Sequence, residues 1–206
     1  MKKLHFFLII AFCLVDFQAK GQSSAGVKAD LNFSKFWVTQ STNLKCSMKA
    51  GYAAGFFYNY LWRETAGIQA DMLFRFRSST IESKESGEKA DFSYYGIELP
   101  VYFMQKIEID DYFALLGIGP YASYGLQSRL KSPHQNIDPY KIDPLSEKSK
   151  MHRWDFGVGF IIGYELKSGL QFNFNYLMGF RNLVNDGFEG SNMIANSLGF
   201  GVGYRF

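Results

Sequence analysis

Eight stretches of this sequence alternate apolar with small or polar residues at a period of two, and no other feature restricts the fold as tightly. Successive side chains of a strand point to opposite faces, so each stretch describes a ribbon with one apolar side. In the first, Val27, Ala29, Leu31 and Phe33 oppose Lys28, Asp30, Asn32 and Ser34. The third sets Met72, Phe74 and Phe76 against Asp71, Leu73, Arg75 and Arg77, and the fourth sets Ile97, Leu99, Val101 and Phe103 against Gly96, Glu98, Pro100 and Tyr102. The last sets Leu198, Phe200, Val202, Tyr204 and Phe206 against Gly199, Gly201, Gly203 and Arg205. Residues 50–60, 114–125, 155–165 and 170–176 follow the same rule.

The connections alternate in length. Long polar ones are expected near residues 38–48, 78–92, 127–152 and 181–195, with short links near Leu61–Glu64, Gln105–Asp111 and Glu165–Gly169. An up-and-down barrel inserted from the periplasm shows this asymmetry, with tight turns inside and longer loops outside. A soluble barrel would also alternate, and the fifth stretch separates the two cases. Its less apolar face, Leu115, Gly117, Gly119, Tyr121, Ser123 and Gly125, carries no charge. A solvated exterior would show Lys and Glu there, whereas a narrow lumen needs glycine to make room for a neighbour's long side chain. Tyr52, Tyr58, Tyr60, Trp62, Phe103, Tyr112, Tyr124, Trp154, Tyr176 and Tyr204 fall near expected strand ends, where an interfacial girdle belongs. The expected fold is therefore all-β, a monomeric eight-stranded antiparallel up-and-down transmembrane β-barrel in the outer membrane, with both termini periplasmic and lipid as its surroundings.

The first residues read as a leader. Met1-Lys2-Lys3 precedes an apolar run from Leu4 to Val15, too short to span a bilayer, and Ala19-Lys20-Gly21 suits a signal peptidase. Cleavage is expected before Gln22, giving a signal peptide over residues 1–21 and a barrel domain over 22–206. Bulky Phe12 ahead of Cys13 argues against a lipoprotein, and Cys46 is then the sole remaining cysteine, so no disulfide or thiolate zinc site can form within the chain. A net charge of +3 is too slight for a nucleic-acid partner, and 18% aromatic with 20% charged residues excludes a disordered chain.

The chain resembles the porin-family (PorT-like) outer-membrane β-barrel proteins of Bacteroidota in its leader, its eight stretches and its terminal Tyr204-Arg205-Phe206. Gly117-Ile118-Gly119-Pro120-Tyr121, Phe156-Gly157-Val158-Gly159 and Asn173-Phe174-Asn175-Tyr176 are similar to that family's fifth, sixth and seventh strands. The resemblance implies that Tyr204 and Phe206 serve as a C-terminal signal read by the barrel-assembly machinery. It implies no activity for most members, and for a few a place in a protein-secretion apparatus.

No catalytic, cofactor-binding or metal residues are expected. Gly157-Val158-Gly159-Phe160-Ile161-Ile162-Gly163 looks like a nucleotide loop only superficially, because strand alternation continues where a helix would have to begin. Asp110-Asp111 reads as a solvated turn. His134 and His152, with Asp138, Asp143 and Asp155, lack a ligand spacing. The informative set is the inward charges Lys28, Asp30, Asp71, Arg75, Glu98, Asp155, Glu165 and Arg205, with Asn32, Gln69, Asn173 and Asn175 between them. These are expected to pair as a structural polar network, since a buried charge without a partner is costly. The expected role is structural or binding, with loop 127–152 meeting an extracellular or envelope protein. A narrow solute channel and an accessory part in secretion or envelope assembly are the alternatives, and no enzyme activity is expected.

Overall fold

The computed structural model describes residues 22–39, 44–85, 87–133, 136–142, 149–185 and 192–206. The leader expected over residues 1–21 lies outside the described residues. The strands are β1 (Gln22–Thr39), β2 (Leu44–Leu61), β3 (Ala66–Ser83), β4 (Lys89–Ile109), β5 (Tyr112–Lys131), β6 (Asn136–Ile137), β7 (Trp154–Leu166), β8 (Leu170–Gly179) and β9 (Asn192–Arg205). Eight of them form one ring in the order β1-β2-β3-β4-β5-β7-β8-β9, closed by the pairing of β9 with β1. Every pairing is antiparallel. The short β6 is no part of the wall; it pairs with the C-terminal end of β5 at Leu130 and Lys131. Closure leaves no open edge through the ring, which is the condition for strands to cross a bilayer.

The two faces separate as the alternation requires. Leu31, Phe56, Met72, Phe103, Ile118, Ile162 and Phe200 are exposed on the outside, while Lys28, Asp30, Asp71, Arg75, Glu98 and Asp155 are buried inside. Small residues make the narrow interior possible. A side chain on Gly159 would strike the rings and methyls of Tyr102 and Leu177, and one on Gly125 would strike the Tyr140 ring.

The connections differ from expectation. Most of residues 38–48 and 78–92 is strand, because β2 begins at Leu44, β3 runs to Ser83 and β4 begins at Lys89. Residues 127–131 likewise belong to β5, and 192–195 to β9. The short link expected at Gln105–Asp111 shrinks to the two-residue turn Asp110-Asp111 between β4 and β5. Strand pairing continues beyond the lipid-facing belt, where the outward positions turn polar and the apolar face that marks a strand in sequence is lost. Tyr52 illustrates the consequence. It sits well inside an 18-residue strand rather than near its end, packed on Phe76, which packs on Tyr95. The girdle marks the lipid boundary, not the strand tip.

The wall is therefore uneven. Strands β1 to β5 hold 18–21 residues, but β7 holds 13 and β8 only 10. Above the low side the chain folds inward. Residues 136–142, 149–153 and 180–185 are tied together by backbone hydrogen bonds from Met151 to Pro139, from His152 to Leu183 and from Asn185 to Lys150. Above its last pairing with β7, the edge of β5 is covered by Arg153, which donates to the carbonyls of Gly125 and Leu126.

Candidate functional site

The lumen is built in layers, each set by inward positions on neighbouring strands. At the short-turn end, Glu165 of β7 is fully buried and accepts from Lys106 Nζ at 3.0 Å, Arg205 Nε at 2.8 Å and Gln171 Nε2 at 2.5 Å. Beside this group lies an apolar cluster of Tyr102, Met104, Leu115 and Ile161. One layer further, Lys28 Nζ donates to Asp71 at 3.0 Å and Gln69 donates to the other Asp71 oxygen at 2.7 Å.

The waist carries the densest charge. Arg75 Nη2 lies 2.8 Å from Glu98 Oε1 and 3.4 Å from Asp30 Oδ2, and Asn175 donates to the same Asp30 oxygen at 3.3 Å. Arg77 takes the second oxygen of Glu98, reaches Asp155 at 4.0 Å and stacks its guanidinium over the Tyr94 ring, while Tyr121 donates its hydroxyl to Asp155 at 3.0 Å. In these pairings five cations (Lys28, Arg75, Arg77, Lys106, Arg205) meet five carboxylates (Asp30, Asp71, Glu98, Asp155, Glu165). Balanced charge is the arrangement a low-dielectric interior tolerates. Satisfaction is incomplete: the Nε and Nη1 of both arginines and Oδ1 of Asp30 and Asp155 lack hydrogen-bond partners among the described residues. The network therefore contributes less to stability than its number of ion pairs suggests, and removing one member is costly.

The mouth opposite the short turns is filled by different chemistry. Tyr140, Met151, Leu183 and Val184 from the folded-in connections pack against Phe36 of β1, Phe92 and Tyr94 of β4, and Met193 and Ala195 of β9. Phe36 and Phe92 meet edge to face at 5.1 Å. Asp138 accepts from Ser128 Oγ at 2.6 Å and from the Tyr140 amide at 3.0 Å, which fixes the turn that inserts the Tyr140 ring. Arg153 covers that ring from 4.9 Å, and burial pushes the Tyr140 phenol well above its ordinary range.

A family model for the outer membrane protein beta-barrel domain matches residues 18–185. The chain belongs to this family. A comparison with curated protein sequences returns no match. Among solved structures the chain is similar to Ail, the attachment invasion locus protein of Yersinia pestis, at 14% identity and a TM-score of 0.45, over 90% of this chain and 99% of that one. Neisserial surface protein A is similar at 14% identity and a TM-score of 0.49, over 90% and 99%. The outer membrane protein OprG from Pseudomonas aeruginosa is similar at 12% identity and a TM-score of 0.44, over 89% and 97%. Family membership places the protein in the outer membrane, and the ring of eight antiparallel strands is the β-barrel that the family model describes.

All eight charged residues singled out from the sequence sit on the inward face, with Arg205 the most open at 24% side-chain exposure. Two further cations complete their pairing. Arg77 already stands on the inward face of the third stretch, and Lys106 is found by extending the alternation of the fourth stretch two steps beyond Tyr102. Lys106 is a strand residue rather than a turn residue, with its ammonium also over the Phe113 ring at 5.3 Å. The glycines of 157–163 lie within β7, as lumen wall. Asp110 has φ 48° in the β4–β5 turn, and exposed Asp111 meets Lys167 at 3.4 Å. His134 and Asp143 lie outside the described residues; Asp138 and Asp155 are held apart in the cap and the waist by the bonds given above.

Proposed function

We propose that this barrel is a closed scaffold that presents a preformed protein-binding surface at its outer end, and that it neither conducts solutes nor catalyses a reaction. The observation that supports this most directly is the apolar cap. The connection after β5 is anchored through Tyr140 and Met151, so the exposed Lys141 and Ile142 beside the first anchor are held in place before any partner arrives, which lowers the entropic cost of binding. Ile142 stands 68% exposed on this anchored connection, the kind of apolar anchor that an interface buries. The partner surface moves accordingly from loop 127–152 to residues 132–153, since 127–131 are wall.

In this reading the protein is a monomer, exported through a cleaved leader and assembled through Tyr204 and Phe206, with the outer end facing away from the cell. The narrower PorT-like affiliation, and with it a place in secretion, rests on the terminal residues and the glycine-rich strands. A photo-crosslinking residue at Ile142 in living cells tests the surface, with the same probe at Lys167 as control. A discrete adduct from position 142 is expected. Its absence, together with step conductance of the purified protein in planar bilayers, would overturn the proposal.

A further inference from the structure

The outer side of the tall wall carries a second feature, independent of the cap. Above the aromatic row Tyr52–Phe76–Tyr95, the outward positions of β2 to β5 turn basic. Thr80 pairs with Asp91 and Asp91 pairs with Lys131 across adjacent strands, so all three lie at one height on one face. Lys49 joins them through its ion pair with Asp91 at 2.7 Å, and Lys89 stands on the same face beside Glu82. Together Lys49, Lys89 and Lys131 surround a recess of about 440 Å³ that holds one carboxylate, Asp91. Arg129 lies on this face one step below Lys131, opposite Ser93.

From these placements we infer that the recess binds the phosphate groups of a phosphorylated glycolipid in the outer leaflet. This rests on the proposed outward orientation of the capped end. Lys49 and Lys89 are matched by Asp91 and Glu82, so Lys131, with Arg129 one step below it, supplies the local positive excess. These cations sit on the lipid side of the wall rather than at the mouth, so an anion there arrives with the membrane. Height selects the lipid. Thr80 is four residues beyond Phe76, about 13 Å along a strand, or about 10 Å of vertical rise at the usual tilt. The phosphate of an ordinary phospholipid lies within the few ångströms of interface next to the hydrocarbon, while a saccharide headgroup carries phosphate higher. Lysine suits this task, since its flexible stem lets the charge follow the phosphate.

The test uses the purified full-length barrel in phosphatidylcholine nanodiscs containing a small fraction of fluorescent rough lipopolysaccharide. Retention is compared with the same glycolipid after chemical dephosphorylation, and with phosphatidylglycerol. The wild type should retain the phosphorylated glycolipid, and Lys49→Gln/Lys131→Gln should weaken retention by about tenfold or more. Lys141→Gln, in the cap connection, should leave it unchanged. Equal retention of the dephosphorylated form or of phosphatidylglycerol overturns the inference, as does full competition by millimolar inorganic phosphate. So does a double variant that keeps its heat-resistant folded band and wild-type retention. Whole-cell labelling of Lys141→Cys in a Cys46→Ser background reports orientation separately. If position 141 is shielded while retention is intact, the orientation fails and the binding chemistry stands.

Discussion

The waist of the lumen and its capped mouth are both buried and both filled, yet with opposite chemistry. At the waist, Arg75, Arg77, Glu98, Asp30 and Asp155 converge from four strands. At the mouth, Phe36, Phe92, Tyr140, Met151 and Leu183 form an apolar cluster, and the polar ties there run mostly through the backbone of the connections. The difference follows from what each filler is attached to. Waist side chains belong to paired strands whose outer faces already meet lipid, so their positions are set by the ring and charge can be matched across it. The inserted residues Tyr140, Met151 and Leu183 belong to connections outside the ring's ladder, held by scattered backbone hydrogen bonds and by burial of apolar area against Phe36 and Phe92. The waist therefore resists deformation through partners that punish loss, and the mouth through contacts that can be traded for other contacts.

The largest expected effect is at the waist. Glu98→Leu strands two guanidinium groups in the interior and should destabilise the refolded barrel by about 3–5 kcal/mol, read as the urea midpoint of its heat-resistant band. Glu98→Gln, which keeps acceptor capacity at the site, should cost less. Next comes the mouth. Tyr140→Ala should cost about 3 kcal/mol of local packing, expressed as protease cleavage within 136–153 while the barrel midpoint stays near wild type. A midpoint drop equal to that of Glu98→Leu would show waist and mouth to be one cooperative unit and would break the comparison.

Smaller effects sharpen it. Gly159→Ala sets a methyl against Tyr102 and Leu177 and should cost about 1–3 kcal/mol, partly restored when combined with Tyr102→Leu. Arg205→Leu removes one of two cations from Glu165 at a half-open site; with Lys106 still in place the loss should be about 1 kcal/mol in the same assay. Lys167→Ala, on an exposed turn pair, should leave the midpoint where it is, and a shift there as large as that of Arg205→Leu would mean the inward charges are not special.

Strand number, strand faces and the identity of most lumen charges were legible from the chain because the period of two is a local property. Lys28 and Glu98 had to point the same way as their second neighbours whatever else the protein did. A one-residue slip would have exchanged the faces of a whole strand, and a single apolar side against lipid forbids that. Strand ends were poorly legible, since Ser47, Ser78 and Thr80 carry no apolar alternation although their backbone is paired. Arg77 was on the correct face but its role was not apparent, because nothing local says that its partners are Glu98 and Asp155.

By itself the sequence determined a closed sheet with one side for lipid and one narrow side for glycine, aromatic rings and matched charge. Only the tertiary structure decided which cation meets which carboxylate, that β1 to β5 rise above the lipid while β7 and β8 stop short, and that Tyr140, Met151, Leu183 and Val184 turn inward as an apolar cap. Each of these depends on where distant strands stand in the closed ring. That placement is set by the pairing of β9 with β1 and of β4 with β5, and a local pattern carries no record of it.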